Sequence, residues 1–261
     1  MKYLESLKKI KDIEVGNQRH VGIFELNGDF EDNTINSWAN HFRQQYCPDN
    51  IIDALISGTG MGREEFLKKM KLPDKSEDFG PATRSGDFAE LLISDYLEFL
   101  LNYYVPKERY QNKFNRNTSS QGTDVIGLKM FSRDDSKDDE LVVFEVKAQT
   151  SGKKPKNRLQ DAINDSQKDC LRKAETLSAI KQRMIERGDM EHVKLVERFQ
   201  NKADRPYKEY YGAAAVHAAD TYSEEMISKV TELGETSWLI VITRDNLMDL
   251  VHELYGRAAK C

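Results

Sequence analysis

Residues 141–149 read Leu-Val-Val-Phe-Glu-Val-Lys-Ala-Gln, an apolar run of the kind that forms β-strands, with an acid at 145 and a base at 147. Side chains alternate across a strand, so Val142, Phe144 and Val146 share one face while Val143, Glu145, Lys147 and Gln149 share the other. One face is core and the other carries chemistry. Unpaired charge on so apolar a strand costs several kcal/mol, so Glu145 and Lys147 must be paired, metal-bound or solvated in a cleft. A divalent cation meets that requirement. Upstream stand two more acids, Glu90 in Gly86-Asp-Phe-Ala-Glu-Leu-Leu and Asp124 in Gly122-Thr-Asp-Val-Ile-Gly. Carboxylates converging from adjacent strands can hold Mg²⁺ through oxygen ligands, and a third from a flanking helix can bind directly or through water. Lys147 would then sit beside the metal-bound water. Hydrolysing a phosphodiester requires neutralised charge in the transition state and a deprotonated water, and a metal with a lysine supplies both.

The elements around these residues must bring them together. Alternation from 121 to 131 and again from 141 to 149, joined by the charged turn 132–140, predicts an antiparallel hairpin with its polar faces in register. An apolar stripe through Phe88, Leu91, Leu92, Tyr96 and Leu100 predicts a central helix over 85–104. Residues 109–114 read as a strand and 115–120 as a polar loop. Apolar positions Leu159, Ile163, Cys170, Ala174, Leu177 and Met184 predict one long helix from about 157 to 187, broken at Gly188 and followed by a second helix to Phe199. The small-residue run 211–219 and the apolar run 238–243 read as buried strands, and 246–259 as a closing amphipathic helix. Before all this, 20–28 reads as a strand ending at an Asn-Gly turn, followed by helices near 34–46 and 49–56. The expected organisation is a mixed α/β N-terminal region over 1–80 and a core over 81–261 with a helical insertion at about 157–203.

The order helix Glu, Asp, then Glu-x-Lys on a hairpin resembles the PD-(D/E)XK nuclease superfamily, carried here by Gly86 to Leu92, Gly122 to Gly127 and Phe144-Glu-Val-Lys-Ala-Gln. Thr123 stands where the family name has Pro. The resemblance implies an α/β restriction-endonuclease-like core, a mixed sheet flanked by helices. It also implies metal binding by Asp124 and Glu145 with Glu90 assisting, water activated or oriented by Lys147, and Gln149 as a companion on the same strand face. At a finer level the chain resembles the HamA family, the nuclease component of Hachiman anti-phage defence, through Asn50-Ile-Ile-Asp-Ala-Leu-Ile-Ser-Gly-Thr-Gly, Phe66-Leu, the Gly86 helix and the hairpin. That resemblance implies a Mg²⁺-dependent DNA nuclease, with Mn²⁺ as a substitute, restrained by a partner helicase, HamB.

Each reading has a bland competitor. Glu145 and Lys147 could be a surface ion pair on a solvated edge strand, Asp124 could serve the turn after Gly122, and Asp87, one turn before Glu90, could take its place. The basic stretch Lys153, Lys154, Lys156 and Arg158, with Arg84 before the central helix, is placed to touch phosphates or merely to be solvated. The glycine-rich 57–62 lacks the Lys-Ser/Thr of a phosphate cradle and reads as a loop. His20, His41, His192, His217 and His252 have no metal spacing.

Composition limits the classes without choosing among them. The 261 residues carry a formal net charge of -5, which argues against coating nucleic acid by bulk electrostatics but not against a local basic patch. The cysteines Cys47, Cys170 and Cys261 form no disulfide or zinc pattern. No apolar run is long enough for a membrane span and Met1-Lys-Tyr-Leu begins no signal peptide, so the expected setting is the cytoplasm. Two other functions fit the motif: a catalytically silent scaffold that binds DNA or a partner, and a sequence-specific restriction enzyme.

Overall fold

The structure is a computed structural model that describes residues 1–261 except Asp78, Ser120, Gln121 and Lys153. In chain order the elements are β1 (Leu7–Val15), β2 (Arg19–Leu26), α1 (Asp32–Tyr46), α2 (Asp49–Ile56), α3 (Arg63–Phe66), α4 (Gly80–Asp95) and α5 (Glu108–Gln111). They continue with β3 (Val125–Lys129), β4 (Glu140–Gln149), α6 (Arg158–Ser166), α7 (Asp169–Glu186) and α8 (Met190–Arg198). The last are β5 (Lys208–Ala218), α9 (Glu224–Ser228), β6 (Thr236–Arg244) and α10 (Leu247–Ala258). Among the described residues six strands form one mixed sheet in the order β1-β2-β6-β5-β4-β3. Its middle four are parallel, and an antiparallel strand closes each edge.

Strand periodicity sorts the apolar side chains into two layers of core. Val142, Phe144 and Val146 join Ala214, Val216, Ile240 and Ile242 beneath α1, α4 and α10. On the opposite face Ala213, Ala215, Leu239 and Val241 pack under α6, while Leu141 and Val143 pack with β3 under α7 and α8. Both faces are covered, as a largely parallel sheet requires. Close approach of β4 and β5 depends on Gly212, where an added Cβ would lie 2.4 Å from the Phe144 ring.

The β3–β4 hairpin pairs Val125 with Phe144 through Lys129 with Glu140, antiparallel as expected. β4 is second from the edge, hydrogen-bonded on both sides, so Glu145 and Lys147 do not lie on a solvated edge strand. Two expectations fail. Residues 109–114 are not a strand: Glu108–Gln111 is a single helical turn, which sets Arg109 and Tyr110 side by side facing α4. The expected long helix is two, α6 ending at Ser166 and α7 starting at Asp169. The apolar spacing runs through the break because each half serves a different core, α6 the one around Leu239 and α7 the one around Val143. The central helix starts at Gly80, earlier than its stripe, with Pro81 in its first turn. β1, near the start of the chain, had no predicted strand and pairs with β2. Together they extend the sheet that carries the hairpin, and α1 packs on α10 within the same core. No helix among the described residues is long and apolar enough to cross a membrane.

Candidate active site

Glu145 is 4% exposed in the interior of the sheet. Its Oε1 accepts Lys147 Nζ at 2.6 Å, while Oε2 is buried with no hydrogen-bond partner among the described residues. Burial, then the charge of Asp124, pushes its carboxyl up to about 7. Lys147 reaches further, to Asp165 Oδ2 at 2.9 Å, and Asp165 also receives Lys168 at 2.6 Å. Burial draws the lysine's pKa down, but hydrogen bonds to Glu145 and Asp165 outweigh it and leave the pKa raised. The ammonium is therefore held in its charged form.

Asp124 immediately precedes β3, and its Oδ2 accepts the Val146 N–H at 2.9 Å, which locks it to the strand between Glu145 and Lys147. Arg109 Nη1 donates to the Thr123 and Asp124 carbonyls at 2.8 and 2.7 Å. The same nitrogen stands 3.5 Å from both Asp124 Oδ1 and Glu90 Oε2. Glu90 also accepts the Tyr110 hydroxyl at 2.8 Å. Burial chiefly, with the Asp124 and Asp87 charges added, pushes Glu90 up to about 8 against the opposing pull of Arg109. Glu90 thus lies near Asp124 with a guanidinium at both carboxylates. Asp87 is turned elsewhere, onto Lys113 and the Tyr46 hydroxyl.

A cleft of ≈ 750 Å³ opens over this end of the hairpin, lined by the hairpin and helix residues Glu90, Asp124, Lys147 and Gln149 and by the basic residues Lys154, Lys156 and Arg158. Gln149 joins the two. Its Nε2 donates to Lys154 O at 2.8 Å and its Oε1 accepts the Lys156 N–H at 2.9 Å, so its amide positions the basic loop. Arg84 is not brought to the cleft, since Nε donates to Pro73 O at 2.7 Å and the guanidinium covers the Tyr255 ring. Lys153 lies outside the described residues. None of the five histidines lines the cleft.

Sequence reading missed Arg109, Tyr110, Asp165 and Asp169. The cluster Asn164-Asp165-Ser166, followed by an acid at a helix start, was the one available signal for the α6–α7 break. Asp169 is fully buried; Oδ1 accepts the Thr123 hydroxyl at 3.3 Å and Oδ2 has no partner among the described residues. Burial and then the Asp124 charge push it up to about 6.

The donor set suits a hard cation. Two buried carboxylate oxygens, Glu145 Oε2 and Asp169 Oδ2, lack partners, and the acids repel one another through Asp124. Among the described residues no three His, Cys, Asp or Glu close around one point.

Fold and hairpin together define a restriction-endonuclease-like α/β protein. A family model described as HamA matches residues 1–258, and the chain belongs to the HamA family. Membership points to a role in Hachiman anti-phage defence. No curated protein matches the chain.

Proposed function

We propose that this protein is a metal-dependent DNA nuclease of low sequence specificity, the effector of a Hachiman system restrained by a partner helicase. The observation that carries this reading is the convergence of Asp124, Glu145 and Lys147 at one end of a buried hairpin, beside a cleft rimmed by Lys154, Lys156 and Arg158. Asp124 and Glu145 would hold Mg²⁺, or Mn²⁺ in its place, which when bound polarises a phosphoryl oxygen and acidifies a water. Lys147, kept charged by Glu145 and Asp165, orients that water and offsets charge developing on the phosphoryl oxygens. Water is the nucleophile and the 3′ oxygen leaves. The basic rim holds phosphates flanking the scissile bond, contacts that bind without reading sequence. Gln149, the cleft amide best suited to a base edge, is occupied by the loop backbone, which fits low specificity.

The test is incubation of the purified chain with supercoiled DNA, linear DNA and RNA in Mg²⁺, Mn²⁺ or EDTA. Metal-dependent degradation of DNA is expected, and Glu145→Ala and Lys147→Ala should each lose roughly 100-fold or more. Discrete fragments would make it a sequence-specific enzyme. A wild-type chain that stays inert even with a candidate helicase added would return the reading to a silent scaffold.

A further inference from the structure

Glu145 and Glu90 are borne on opposite faces of the sheet. Glu145 shares its face with Val143, which packs under α7, and its register partner Ala213 packs under α6. Glu90 comes from α4, whose apolar side chains pack with Phe144 and Val146 on the other face. Glu90's oxygen is shared by Tyr110 and Arg109. On Glu145's own side stand Asp165, held by Lys147 and Lys168, and Asp169, at the first turn of α7 where the predicted long helix breaks.

Four observations set Asp169 apart from an ordinary helix-start acid. It is 0% exposed, so its charge carries a desolvation cost that a helix dipole, a small effect at a surface, does not offset. Among the described residues its Oδ2 is buried with no partner, and so is Glu145 Oε2. Its Oδ1 rests on the hydroxyl of Thr123, the residue adjoining Asp124, and Thr176 of the same helix accepts the Thr123 N–H at 3.2 Å. The charge of Asp124 weighs on both Asp169 and Glu145, and that of Asp169 weighs on Glu145. Buried carboxylate oxygens without partners are costly, and a cation beside Asp124 would offset that cost for both acids.

We propose that Asp169 is the third acid of the cation site, acting on the water shell of an ion held by Asp124 and Glu145, and that Glu90 is the anchor of Arg109. The inference rests on the metal-dependent reading above, only in that a divalent cation binds between Asp124 and Glu145. Arg109 then has a defined place: paired with Glu90, it fixes the Thr123 and Asp124 carbonyls and so sets the orientation of the Asp124 carboxylate.

The test measures Mn²⁺ binding to the full chain by calorimetry and by the shift in melting temperature, with no DNA present. Asp169→Asn, close in shape, should weaken Mn²⁺ affinity by about 10-fold or more and shrink the melting shift, because losing an outer-shell acid typically costs that much. Without metal it should melt no lower than wild type, since a buried charge is gone. Asp169→Glu should keep most of the affinity, and Glu90→Gln, which acts only through Arg109 and Asp124, should weaken it less than Asp169→Asn does. Asp169→Asn binding Mn²⁺ as wild type does, or melting lower with its shift intact, would overturn the proposal in favour of a helix-dipole role. So would loss of binding in Glu90→Gln alone. Wild type that binds no Mn²⁺ would overturn this proposal and the metal-dependent nuclease reading together, whereas binding unaffected by Asp169→Asn removes this proposal alone.

Discussion

Glu145 concentrates the conflict between solvation and position in this site, and it can be tested without substrate. In the unfolded chain it ionises near the ordinary value of 4.5, but in the fold not until about 7. Between those values the unfolded state has released a proton the folded state still holds, so rising pH through this window costs the metal-free protein stability. The cost is complete above pH 7 and absent below 4.5. Asp169, raised to about 6, acts in the same direction. In EDTA, Glu145→Gln is therefore expected to melt above wild type at pH 8, with the difference narrowing as pH falls to 5. Melting curves at the two pH values check this; a difference independent of pH, or a lower melting point at pH 8, would mean burial does not dominate at Glu145. Lys147 adds nothing in this window, since its partners hold it charged throughout.

At the scale of the element, two features of the hairpin's surroundings have separable consequences. The glycine and alanines of β5 make room for β4, and Gly212 is the tightest point because Phe144 lies over it. Gly212→Ala is expected to cost about 1–3 kcal/mol from overpacking, read as a lower midpoint in urea with little change in slope. Gln149, at the end of β4, instead ties the basic loop to the strand through two hydrogen bonds. Gln149→Ala should leave the melting point nearly unchanged while weakening DNA binding by ~10-fold, the effect of about 1–2 kcal/mol lost from loop positioning. Fluorescence anisotropy of a labelled oligonucleotide in EDTA reads this directly, and unaltered affinity would show that the loop holds its shape without Gln149. The hairpin itself was legible because alternation is a local property of 141–149. The α6–α7 break was not, since the periodicity continued across a point where the chain changes from one core to another.

Over the whole molecule, the first 80 residues and the site-bearing remainder share one core. β2 hydrogen-bonds to β6, Trp38 stacks on Tyr3 at 3.8 Å, and the Tyr46 hydroxyl meets Tyr255 at 2.7 Å and Asp87 at 2.7 Å. His41 and Tyr3 also supply partners to the buried carboxylate of Asp95 on α4. A chain starting at residue 81 would expose one edge of β6 and leave Asp87 and Asp95 without these partners. It is expected to lack a cooperative thermal transition, measured by circular dichroism or calorimetry; a sharp transition would establish 81–261 as an independent unit. By itself the sequence determined the parts fixed by near neighbours: the alternation of β4, the polar turn that folds it onto β3, the amphipathic stripe of α4, and the types of residue at 90, 124, 145 and 147. Only the tertiary structure decided which of them meet. It set Arg109 between Glu90 and Asp124, turned Arg84 away, gave Gln149 to the loop, and brought Asp165 and Asp169 to the hairpin from a helix junction that periodicity concealed. The physical reason is that burial, ion pairing and carboxylate repulsion act through space between residues distant in the chain, whereas hydrophobic periodicity records only the face each residue shares with its neighbours.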